Sequence, residues 1–171
     1  MRELKIYLAT AVQGDRCQIV EANKLIEWLK ALGHDVINDH VALETVEESD
    51  RVLAKKMSIT GRKLTASDIW SYCIDQSIMR KDLDLIIAEC SGSSHGVGME
   101  ITFAMLRTLI NPELKKIPIV VMHNGAQHSG ISGMISGVPE RFTESKPEVF
   151  KYDDFRHIRR ILSTYFDAYF K

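Results

Sequence analysis

Leu83-Asp-Leu-Ile-Ile-Ala-Glu89, followed after Cys90 by Ser91-Gly-Ser-Ser-His-Gly-Val-Gly-Met-Glu100, is the stretch that decides the fold. The first segment is a near-continuous apolar run of strand length, the pattern of a strand buried on both faces. The second is a polar loop rich in glycine and serine. Apolar residues then resume at helical spacing from about Met99 to Ile110. Strand, glycine-rich loop and helix in that order form the repeating unit of a parallel sheet covered by helices.

The flanking sequence repeats the unit. Ile6-Tyr-Leu-Ala9 reads as a first strand and Thr10–Gly14 as a loop. Asp15–Leu32 reads as a helix carrying Ile19, Ala22, Leu25, Ile26 and Leu29 on one stripe, with Gly33 as its stop. His34–Asn38 is a second strand, and Glu47–Met57 and Leu64–Arg80 are helical. Ile117-Pro-Ile-Val-Val-Met122 is the fourth strand, 124–139 is a glycine-rich loop, and Glu148–Tyr152 is a short last strand. Asp153–Phe170 closes the chain as an amphipathic helix. The expected fold is α/β: a flavodoxin-like, doubly wound, five-stranded parallel sheet of order 2-1-3-4-5, with helices on both faces and one domain over 1–171. Ligands of such folds bind beyond the carboxyl ends of the strands, where strand order reverses. Thr10–Gly14 and Ser91–Gly98 are therefore expected to face each other across the site.

Composition excludes several function classes. The 171 residues carry 22 basic and 23 acidic side chains and a formal net charge of −1, so no general attraction to nucleic acid is expected. Cys17, Cys73 and Cys90 are far apart and odd in number, which fits a reducing compartment. No CxxC and no zinc-like Cys/His spacing occurs, so neither a metal nor another cofactor is expected. No apolar run reaches membrane-spanning length, and the N-terminus leads directly into a strand pattern rather than a signal peptide. The expected location is cytoplasmic.

The loop itself carries the chemistry. Gly96 and Gly98 would let backbone approach a ligand and adopt positive φ. The helix start behind them offers free N–H groups and a positive dipole end to an anion. Glu100 is expected in the first helical turn, where the dipole keeps its carboxylate ionised. An ionised carboxylate beside a sugar-binding crevice is what nucleophilic attack at an anomeric carbon requires. The same glutamate would equally complement a helix dipole with no chemical role. His95 and His128 read as exposed loop histidines, Trp28 and Trp70 as core or interface residues, and Arg156–Arg160 as a solvated helix face.

Ile6-Tyr-Leu-Ala9, Asn38-Asp-His-Val-Ala42, Asp84-Leu-Ile-Ile-Ala-Glu89 and Ser94-x-Gly-Val-Gly-x-Glu100 resemble, in order and spacing, the nucleoside 2-deoxyribosyltransferase-like family, nearest to its 2′-deoxynucleoside 5′-phosphate N-hydrolase branch. The likeness covers about residues 5 to 140 and includes Ile131-Ser-Gly-Met-Ile-Ser-Gly137. It implies that Glu100 is the nucleophile and that Tyr7 stands beside it and the sugar. It implies that Ser94 binds phosphate, that Gly96 and Gly98 are the loop glycines, and that His40 edges the base pocket. Ser132, with Met134 near it, matches a segment that reaches into the neighbouring subunit's site, which implies a homodimer.

Two positions depart from the family. Its first loop usually reads Ser-Ile-Arg, where serine and arginine hold the 5′-phosphate, and here the positions are Ala11-Val12-Gln13. Glutamine lacks the charge and the bidentate geometry of arginine. The family's second catalytic carboxylate, an aspartate, falls on Gln76 when counted back without gaps from Glu100. Asp75 is one residue away and would take the position if the helix were irregular.

The expected activity is hydrolysis of the base–sugar bond of a (2′-deoxy)nucleoside or its 5′-monophosphate through a covalent glycosyl-Glu100 intermediate, with Asp75 assisting the departing base. A deoxyribosyltransferase using the same intermediate, a non-catalytic nucleotide-binding module and a flavin-carrying electron carrier are the alternatives. The first loop lacks the Ser/Thr-rich phosphate cradle that the last of these needs.

Overall fold

The computed structural model describes residues 2–13, 15–126, 131–139 and 146–170. Five strands, β1 (Lys5–Ala9), β2 (Asp35–Val36), β3 (Leu85–Glu89), β4 (Ile119–Asn124) and β5 (Glu148–Tyr152), form one sheet. Its order is β2-β1-β3-β4-β5 and every pairing is parallel, which is the flavodoxin-like arrangement. β1 and β3 run in register as Ile6↔Leu85, Leu8↔Ile87 and Ala9↔Ala88. The strand order reverses at this pair.

Strand periodicity sorts β1 into two cores. Ile6 and Leu8 face the cluster built with Leu25, Leu29, Leu162 and Phe166, while Tyr7 and Ala9 face the cluster containing Ile74, Ile78, Val97 and Ile101. All five residues of β3 are buried, as its near-continuous apolar run requires. Each fully buried Leu or Ile here contributes roughly 1.5–3 kcal/mol of apolar transfer.

The helices follow the sequence with revised ends. α1 (Ile19–Ala31) stops at Gly33, whose φ of +84° is the left-handed turn that a glycine accepts freely. A 3-10 turn over Asp39–Ala42 precedes α2 (Val46–Lys56), which Thr45 and Glu48 cap reciprocally. The expected helix over Leu64–Arg80 is two pieces: α3 (Ala66–Trp70), capped by Thr65 and Asp68, and a π-helical continuation over Ser71–Ile78. π turns of this kind insert an extra residue and shift which side chains face inward. α4 (His95–Ile110) is followed by the short α5 (Gly133–Ser136) and by α6 (Phe155–Tyr169). α5 lies inside a segment expected to be loop.

α4 begins about four residues earlier than its apolar spacing suggested, and this corrects two expectations. Ser94 is the N-cap, accepting from the Val97 N–H at 3.3 Å. Gly96 and Gly98 are therefore helical, and the positive-φ glycines among the described residues are Gly33 and Gly61. Glu100 stands in the second turn, not the first, and is removed from most of the dipole's effect. Among the described residues, no helix is long and apolar enough to cross a membrane, and no His/Cys/Asp/Glu cluster could hold a metal ion.

Candidate active site

A crevice of about 420 Å³ opens at the carboxyl ends of β1 and β3. One wall is Thr10, Val12 and Gln13 from the first loop, facing Ser93–Val97 at the start of α4. The two loops meet across the switch point, as their order in the sequence requires. Gly92 makes the approach possible: a Cβ there would lie 2.2 Å from the Asp15 carbonyl oxygen. A second wall comes from the 3-10 turn and α2, with His40, Val41, Ser49, Asp50 and Leu53. The floor is Tyr7, Cys73 and Glu100.

The floor is the chemical centre. Tyr7 donates its phenolic O–H to Glu100 Oε1 at 2.8 Å. The Cys73 thiol lines the same floor and interacts with both groups. Burial pushes the Glu100 carboxyl up to about 7, and the bonds from Tyr7 and Cys73 pull part of the way back. Burial likewise raises Tyr7 well above its usual value, with the Glu100 charge adding to it, so the phenol remains a donor. Cys73 rises to about 11, first through burial and then through Glu100, and stays a thiol. A carboxylate poised near neutrality, half-exposed to a cavity and held by one strong donor, can bind a proton or attack an electrophilic carbon.

The π-helical turn determines which side chain reaches this floor from the third helical region. It is Cys73. Asp75 and Gln76 are exposed and do not line the crevice. No spacing rule based on an α-helix finds Cys73, because the irregularity changes the phase of the helix. Gln13 is exposed at the mouth.

His40 is buried in the second wall, and burial, reinforced by the Lys56 charge, lowers its imidazole to about 4. It is neutral at physiological pH. Its Nδ1 has no hydrogen-bond partner among the described residues, and its ring meets Tyr72 edge-on at 5.3 Å. Asn38, which the sequence did not single out, fastens this wall to β1: its side chain accepts from the Leu8 N–H at 2.9 Å and donates to the Leu8 carbonyl at 2.7 Å. Ser49 donates to the His40 carbonyl at 2.9 Å. His95, read as a plain loop histidine, is exposed but lines the mouth. His128 lies outside the described residues.

Ser94 and Gly96 line the crevice, whereas Gly98 borders a smaller cavity of about 200 Å³ on the other side of the loop. Ser132 lines that second cavity with Ile135 and accepts from the Met134 N–H at 3.3 Å. Met134 is 88% exposed. The structure thus brings Tyr7, His40, Ser94, Gly96 and Glu100 to one crevice, and leaves Asp75, Gly98, Ser132 and Met134 outside it.

Fold and site together define an α/β protein with a carboxylate set at the switch point of a flavodoxin-like sheet. No protein-family model matches the chain. Curated relatives do. A protein of Thermofilum pendens named "Putative 2'-deoxynucleoside 5'-phosphate N-hydrolase 1" is 29% identical over 135 residues, 79% of this chain and 78% of that one. A protein of the same name from Methanosarcina mazei is 29% identical over 164 residues, 95% and 84% of the two chains. One from Methanosarcina barkeri is 24% identical over 164 residues, 96% and 86%. The chain therefore resembles the 2′-deoxynucleoside 5′-phosphate N-hydrolase branch over most of its length, the branch its motifs pointed to.

Proposed function

We propose that this protein is an N-glycosyl hydrolase that releases the base from a 2′-deoxynucleoside or its 5′-monophosphate, with Glu100 as nucleophile. The observation that carries the reading is the Tyr7–Glu100 pair at 2.8 Å on the floor of the crevice. The relatives' shared name gives the reaction class.

Glu100 attacks C1′ from the face opposite the base. The electron pair of the C1′–N bond leaves with the base, which takes a proton from water in the open crevice. Water then attacks C1′ of the glycosyl ester, gives up a proton, and restores the Glu100 carboxylate. A 2-deoxy sugar suits this path, because the absent hydroxyl eases positive charge at C1′. Tyr7 steadies the carboxylate before attack. Attack by a second base in place of water would make the same intermediate a transferase.

Ser94 and the exposed N–H groups of α4 face the 5′ end of such a substrate, and His40 faces its base. In this reading Ser132 and the exposed Met134 reach the crevice of a second copy of the chain, and the working unit is a homodimer.

The test is release of free base from a panel of nucleosides and 5′-monophosphates by the unaltered chain and by Glu100→Gln. Loss of release in the variant, together with a mass adduct on Glu100 from a 2-fluoro substrate analogue, supports the reading. Full activity of Glu100→Gln overturns it. Adding a free acceptor base distinguishes hydrolysis from exchange.

A further inference from the structure

We propose that Asp50 selects the base, favouring bases that carry an exocyclic amino group over those that carry a carbonyl oxygen at the same ring position. The inference rests on the base-releasing reading of Glu100 and deepens it.

The α2 wall is built for a flat ring with one polar edge. Val41 and Leu53 supply buried apolar surface, and Ile69 joins them from α3. Such a slot gains by covering the faces of a heteroaromatic ring. The other polar groups of the wall are engaged or weak. Ser49 spends its hydroxyl on the His40 and Thr45 carbonyls. His40 is neutral and buried. Lys56, the nearby cation of α2, bonds Asp39 and the Ile37 carbonyl. Asp50 lines the crevice half-buried, and no hydrogen bond or ion pair joins its carboxylate to another described residue.

An ionised carboxylate can only accept hydrogen bonds. Its complement is a group that only donates, and an amino group is the one donor-only substituent of the natural bases. Cytosine and uracil make the comparison sharp. They have the same size and shape, but at position 4 cytosine carries an amino group and uracil a carbonyl oxygen. Against Asp50 the first makes a charge-assisted hydrogen bond, and the second sets oxygen against oxygen. A site that leaves a half-buried carboxylate unmatched discriminates between the two.

The experiment separates this idea from catalysis. The full-length Glu100→Gln protein, which should not turn over, is titrated calorimetrically with 2′-deoxycytidine and 2′-deoxyuridine, and with their 5′-monophosphates. Tighter binding of the cytosine member by about tenfold or more is expected, as for a hydrogen bond to a charged group. Glu100→Gln combined with Asp50→Asn should bring the pair to within about twofold, because an amide both donates and accepts. Asn is isosteric, and a circular dichroism spectrum checks the fold. Equal binding in the single variant, no binding of either ligand, or a preference that survives Asp50→Asn overturns the proposal. An Asp50-dependent preference without base release by the unaltered chain would leave Asp50 standing and sink the glycosidase reading.

Discussion

The loop between β3 and α4 joins two glutamates of opposite character. Glu89, at the end of β3, is 5% exposed. It accepts from the Ser91 N–H at 3.1 Å, from the Ser91 hydroxyl, and from the Tyr152 hydroxyl at 3.0 Å. Glu100 accepts from Tyr7 and lines a cavity. Burial raises both carboxyls. The difference lies in spare capacity. A carboxylate has about four acceptor positions. The fold gathers three donors on Glu89 Oε1, and so ties the loop to β5. It leaves several on Glu100, which can serve a ligand. Burial and a raised pKa do not by themselves mark a catalytic group. Unspent acceptors facing a cavity do.

The contrast can be broken most directly at Glu100. Glu100→Gln should cut base release by at least about a thousandfold with the fold intact, as loss of a covalent nucleophile does. Glu89→Gln, the same chemical change, should leave most activity. Equal losses in the two variants, measured by base release, would erase the distinction.

Stability should divide them the other way. Glu89→Leu removes the acceptor that gathers Ser91 and Tyr152 and should cost about 3 kcal/mol, seen as a lower denaturant midpoint. Glu100→Gln should stabilise the protein by about 3 kcal/mol near pH 8. The sign follows from linkage. The folded pKa of Glu100 is raised to about 7, so the folded state binds the proton more tightly than the unfolded chain does. The carboxyl's contribution is fully present below its unfolded value, and is lost as pH rises through 7. A neutral amide avoids that loss, so the gain should vanish by pH 4.

The pH profile sharpens the picture further. Base release by the unaltered chain should rise with pH to a plateau, with a midpoint near 7, because the ionised form attacks. Tyr7→Phe removes the bond that favours the carboxylate, so the midpoint should move upward and the rate at pH 7 should fall about tenfold. An unmoved midpoint in kcat/KM would show that Glu100 is not the titrating group. Cys73→Ala should move it the same way by less, because a thiol is the weaker donor.

The sheet was legible because strand order, burial and helix stripe are written as periodicities of 2 and 3.6 along the chain. β3 and its loop announced the switch point, and Tyr7 and Glu100 came out of the motif order. Helix ends were less legible. The apolar stripe of α4 starts at Met99, but Ser94 caps the helix and draws Gly96 and Gly98 into it. That single cap removed the positive-φ role expected of the glycines and moved Glu100 out of the first turn. Gly92 was overlooked because its partner, Asp15, is distant in sequence.

By itself, then, the sequence determined the sheet order, the crevice between the first and third loops, and the glutamate at its floor, since these follow from local patterns repeated along the chain. Tertiary structure alone decided that Cys73 rather than Asp75 or Gln76 joins that floor, that Asp50 stands with His40 on the facing wall, and that burial pushes Glu100 up to about 7. Each of these depends on how helices are phased and packed against one another. A π turn, a long-range glycine contact and the depth of a carboxyl group are set by through-space neighbours, which no window along the sequence contains.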